Sequence, residues 1–95
     1  MKPEFGKYYL LNTDKYYYCP VLSREVKFMG TLAVKCSSSF GNNAHFGELI
    51  DTSNPYGPDY ETNNDIEFSD DDVISEYQLK DIPLMYMDFH YESKH

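Results

Sequence analysis

A chain of 95 residues, 41% hydrophobic and 17% aromatic, has material for one hydrophobic core and no room for a second. Its net charge of -8 disfavours nucleic acid and anionic membrane as direct partners and favours basic protein surfaces. No apolar run approaches the roughly 20 residues of a membrane span, and Met1-Lys2-Pro3-Glu4 opens no signal-peptide core. A single soluble domain over 1–95, located in the cytoplasm, is the expectation.

Residues 5–11 (FGKYYLL) are rich in β-formers, and Asn12, Thr13, Asp14 and Lys15 follow as a turn-forming cluster. Residues 16–22 (YYYCPVL) read as the returning strand of a hairpin. Pro20 confines that strand to an edge or a bulge, because proline donates no backbone hydrogen bond. Ser23, Arg24 and Glu25 make the next break. Over 26–36 the alternation is clear, with Val26, Phe28, Gly30, Leu32, Val34 and Cys36 on one face. Lys27, Met29, Thr31, Ala33 and Lys35 take the other face, and Gly30 predicts a bend or bulge within one long strand.

Residues 37–43 (SSSFGNN) have loop composition, and 44–50 (AHFGELI) fit a short strand. The stretch 51–64, with Asn-Pro, Tyr-Gly and Pro-Asp steps, reads as a long loop. Tyr56 and Tyr60 on it serve either as exposed contacts or as a lid over the core. Residues 66–77 then set Glu67, Asp70, Asp71, Asp72 and Glu76 among Ile66, Phe68, Val73, Ile74 and Tyr77. This mixture predicts a folded edge: an Asp-rich turn followed by a strand over 73–79, or a single helical turn capped by Ser69. Beyond Pro83, residues 84–91 (LMYMDFHY) read as a closing strand with Met85, Met87 and Phe89 inward, and 93–95 as a frayed end. Short strands with little helix make the chain mainly β, either a small SH3-like barrel or a strongly bent antiparallel sheet.

Phe5-Gly6-Lys7-Tyr8-Tyr9 near the start, a Gly-containing strand in the middle and Asp72-Val73-Ile74-Ser75-Glu76-Tyr77 late in the chain together resemble a loose set of small phage-encoded proteins. Those chains open with a G-K-Y-Y step and close with a D-L-V-S-E-W-like step; here Ile and Tyr stand where Leu or Val and Trp are usual. The resemblance implies a phage origin and an SH3-like barrel, and it brings no assigned chemistry.

Cys19 and Cys36 read as buried small hydrophobes, since two cysteines without a CxxC partner make neither a disulfide scaffold nor a zinc site. None of His45, His90 and His95 stands in a nucleophile motif, so no catalytic residue is assigned and the chain is expected not to be an enzyme. Asp70, Asp71 and Asp72 are adjacent rather than alternating and lack the glycine of a calcium loop, so no metal or other cofactor is expected.

What remains is charge layout. Residues 1–36 carry six basic side chains against three acidic, whereas 37–95 carry thirteen acidic against two basic. An acidic edge is therefore expected to dock on a basic surface of a host nucleic-acid-handling or defence protein. Its carboxylates are Asp59, Glu61, Asp65, Glu67, Asp70, Asp71, Asp72 and Glu76, standing in for phosphates, with Tyr56, Tyr60 and Tyr77 as anchors. Outward residues on a strand recur every two strand rises, close to the step between phosphates along a duplex strand. The alternatives are a small-molecule-binding β-barrel with 51–64 as its lid, or a phage structural adaptor.

Overall fold

A computed structural model describes residues 2–53 and 55–80. Among them seven strands are found: β1 (Tyr8–Leu11), β2 (Tyr16–Cys19), β3 (Arg24–Lys27), β4 (Ala33–Phe40), β5 (Ala44–Asp51), β6 (Tyr60–Phe68) and β7 (Val73–Glu76). One 3₁₀ turn, Asp70–Asp72, joins β6 to β7. Five strands form a sheet in the order β6-β5-β4-β1-β7, and β2 and β3 form a separate hairpin, with antiparallel pairing throughout. The mainly β expectation holds. Among the described residues the sheet is open, because β6 and β7 are its outer strands and do not pair with each other.

The core follows from period-two burial. Tyr9 and Leu11, Val34 and Cys36, and Ile66 and Phe68 point to one face of the large sheet, and Tyr17 and Cys19 of the hairpin pack onto that face. Val26, Phe28, Leu49 and Val73 close its margins. Each such apolar side chain taken from water stabilises the fold by about 1.5–3 kcal/mol. Gly47 lies opposite Cys36 and Ile66 in the ladder, where a Cβ would stand 2.8 Å from both Phe68 and Val34. The absent side chain is what lets those two meet across β5.

Several expected elements are rearranged. The hairpin expected between 5–11 and 16–22 does not form: β1 pairs with β4 and β7, and β2 with β3. Ser23 takes the left-handed region at φ 54° and donates its N–H to Pro20, so the expected break closes a tight turn and β3 follows at once. The long strand over 26–36 is two strands in different sheets, parted at Gly30, whose φ of 78° carries the chain from hairpin to large sheet. Residues 37–40 extend β4 rather than forming a loop, leaving 41–43 as the turn. The loop expected over 51–64 is cut short at both ends, because β5 runs to Asp51 and β6 begins at Tyr60. The acidic turn is followed by a strand as expected, although β7 ends at Glu76. The strand expected over 84–91, the end 93–95, His90 and His95 lie outside the described residues.

Candidate functional site

The acidic stretch is built from the end of β6, the 3₁₀ turn and β7, and its carboxylates divide into two groups. Asp72 is 6% exposed; its Oδ1 is 2.8 Å from Lys15 Nζ, and its Oδ2 accepts from the Ser69 N–H and Oγ. Burial opposes ionisation there, but Lys15 and the two Ser69 bonds outweigh it and hold the carboxyl below the usual range. Asp70 is bound to His45 Nε2 at 2.5 Å, and its N–H donates to Asn43 Oδ1 at 2.7 Å. These bonds lock the turn to Lys15 just ahead of β2, to Asn43 in the β4–β5 turn and to His45 on β5, so it is a fixed corner rather than a floppy acidic loop.

Asp59 and Glu61 are also engaged internally. Asp59 Oδ2 accepts from Tyr77 OH and from the Lys80 N–H, both at 2.8 Å, with Lys80 Nζ 3.5 Å from Oδ1. Burial again opposes ionisation, yet the Lys80 and Tyr77 bonds keep the carboxyl low. Burial and the same carboxylate push the Tyr77 phenol up to about 12. Glu61 accepts from Lys35 Nζ at 3.2 Å and from Tyr8 OH at 3.4 Å. Four of the eight expected carboxylates therefore carry internal bonds, and Tyr77 is half-buried against one of them. Asp65, Glu67, Asp71 and Glu76 make no salt bridge among the described residues.

The unpaired carboxylates do not form one row. Asp65 and Glu67 alternate with buried Ile66 and Phe68 on the outer strand β6, so they face away from the core. Glu76 is on β7 at the opposite edge, and Asp71 is exposed on the turn between. The register adds a residue that charge counting along the chain missed. Glu48 on β5 stands directly opposite Asp65, and Lys35 on β4 stands opposite Glu48 while its ammonium reaches Glu61. The signal for Glu48 was its alternation with His45 and Gly47 along 44–50, which puts it on the outer face. Tyr60 is 57% and Tyr56 97% exposed, as contact residues would be.

A second constellation escaped the sequence reading. A bulge at Ser37, between Cys36 and Ser38 in the β4–β5 ladder, shifts the alternation by one residue. Ser39 thereby comes opposite His45, on the same side as Cys36, and Ser39 Oγ stands 2.6 Å from His45 Nδ1. The ring of His45 is 1% exposed and packs at 5.2 Å from that of Phe68. No sequence motif marks this pair, because it exists only through the bulge and the ladder.

Among the described residues no three His, Cys, Asp or Glu side chains are placed to hold a metal ion, and no helix is long and apolar enough to cross a membrane. The described residues line hollows, of which two matter here. One of about 360 Å³ is lined by Met29, Thr31, Ile50, Asp51, Thr52 and Ser53. The other, about 110 Å³, is apolar and lies beneath the β2–β3 turn, between Leu22 and Leu49. No family model matches this chain, and neither a curated protein nor a solved structure similar to it was found.

Proposed function

We propose that this chain is a non-enzymatic acidic binding protein, of the kind a phage uses to inhibit its host. It docks a phosphate-mimicking face on a basic surface of a nucleic-acid-handling or defence protein in the host cytoplasm. The observation that carries the reading is the Glu48–Asp65 pair with Glu67 beside it. Like charges directly opposite in a ladder weaken a sheet; Lys35 lies opposite Glu48 but its ammonium bonds Glu61, and Asp65 and Glu67 on the outer strand β6 make no salt bridge among the described residues. Asp71 extends the negative field around the corner, and Tyr60 is a ready aromatic contact at the far end of β6. Asp59 and Asp72 belong to the scaffold that holds this face, not to the face itself.

The test is capture of host-lysate proteins on the immobilised chain, with elution by salt and by duplex DNA. The expected partners are basic, are displaced by DNA, and leave between about 50 and 200 mM salt, where contacts to a run of anionic groups weaken steeply. Replacement of Asp65, Glu67 and Asp71 by their amides should abolish capture. Retention of the same proteins by that triple variant would end the proposal.

A second reading has one observation in its favour, the hollow of about 360 Å³ beside Thr52 and Ser53. Its size is within the range of small-ligand sites, and Thr52 and Ser53, which follow β5, line it. A nucleotide-like ligand there would raise the melting temperature through preferential binding to the folded chain. A nucleotide screen with no shift would remove it.

A further inference from the structure

Ser39, His45 and Asp70 form a continuous chain of hydrogen bonds from the surface through the core to the acidic turn. A carboxylate only accepts, so His45 Nε2 carries the proton facing Asp70 Oδ1. The neutral ring then has one lone pair, at Nδ1, and the Ser39 hydroxyl donates to it. That is the arrangement by which an imidazole removes a hydroxyl proton as the oxygen attacks, with the carboxylate fixing the tautomer. The two residues are opposite one another in the ladder on the far side of the Ser37 bulge, so the pair is held in place before any reagent arrives.

We propose that Ser39 is an activated nucleophile, with His45 as its base and Asp70 positioning the ring, and that it takes up one acyl or phosphonyl group from an activated donor. Ser39 Oγ bonds to the carbonyl carbon or phosphorus, its proton passes to His45 Nδ1, and the leaving group departs with its electron pair. Asp70 balances the imidazolium that results. Ser39 itself is exposed, whereas His45 is sealed. The sealed ring accepts a proton from Ser39 but has no path to protonate a departing alkoxide or amine, or to activate water for release of the acyl group. Donors whose leaving groups need no proton are therefore the substrates, and the product stays on Ser39. Cys36, on the same face, does not compete: burial pushes its thiol up, only partly offset by the Ser39 hydroxyl. This inference is independent of the docking reading, since neither Ser39 nor His45 is on the acidic face.

The experiment treats the full chain with a fluorophosphonate and, separately, with p-nitrophenyl acetate, and follows intact mass, peptide mapping and p-nitrophenol release. The expected result is a single adduct at Ser39 and a burst of one equivalent, both lost in Ser39→Ala. His45→Gln risks the core, so Asp70→Asn, on the partly exposed turn, is the second variant. An amide N–H facing Nε2 favours the wrong tautomer, and labelling should slow by about 10²–10⁴-fold, the usual worth of a positioned base, in a chain with an unchanged circular dichroism spectrum. Labelling spread over many serines, placed at Cys36, or no faster than in the urea-unfolded chain would overturn the proposal, as would an unslowed Asp70→Asn. Release continuing past one equivalent would overturn the limit set by the sealed ring.

Discussion

Asp72 is the residue on which the acidic turn depends. It closes the loop with Ser69 and ties the turn to Lys15, the residue just ahead of β2. Asp72→Ala leaves the Ser69 N–H without its acceptor and should cost about 1–3 kcal/mol, the penalty for an orphaned half-buried donor, measured by urea unfolding. Asp59 and Asp72 also set the acid limit of the fold. Both carboxyls are held below their ordinary range in the folded chain, so the unfolded chain binds more protons as pH falls. Their stabilising contribution is complete above the unfolded value of about 4 and is lost as pH drops through the lower folded values. Thermal melts should show a falling midpoint below about pH 4, with a shallower fall in Asp72→Asn. The sequence showed five carboxylates in twelve residues; which of them serve the fold was not visible, because Lys15 and Lys80 reach Asp72 and Asp59 across 57 and 21 positions.

Among the elements, β5 bears most on both constellations. It pairs on both sides, carries Gly47 where Val34 and Phe68 meet, and supplies His45 and Glu48 to the two constellations. Gly47→Ala should destabilise by about 1–3 kcal/mol through overpacking, read as a lowered denaturant midpoint with little change in the slope. This strand was legible over 44–50, since its alternation is strong. The hairpin assignment for 5–11 and 16–22 failed for a definite reason: two strands separated by a turn cluster look like a pair, but local pattern does not say which edge each strand joins. β6 was hidden behind Thr62, Asn63 and Asn64, polar residues with loop composition that lie where the β5–β6 register shifts, held there by the Thr62 hydroxyl donating to the Leu49 carbonyl and the Asn63 N–H donating to Glu48.

At the scale of the whole molecule, negative charge is distributed over two edges and a corner rather than along one side. The Glu48–Asp65–Glu67 face and the Glu76 edge should therefore contribute unequally to partner binding. Neutralising Asp65 and Glu67 together is expected to raise the dissociation constant at least about tenfold at low salt, about 1.4 kcal/mol or more, whereas Glu76→Gln changes it by less than about twofold. Titration of the captured partner against both variants measures the difference, and a larger effect from Glu76→Gln would place the contact at β7 instead.

The order of residues by itself determined that this chain is mainly β, that its strands alternate core and solvent positions, and that its second half carries the negative charge. Each of these depends on neighbours one to four positions apart, where backbone geometry and charge act locally. Strand partners, the pairing of four carboxylates within the fold, and the Ser39–His45–Asp70 chain were decided only by tertiary structure. They rest on a bulge that brings Ser39 opposite His45 and on side-chain bonds that span long separations, the 25 positions from His45 to Asp70 among them. Contacts of that reach are fixed by how faces pack, and no local pattern encodes them.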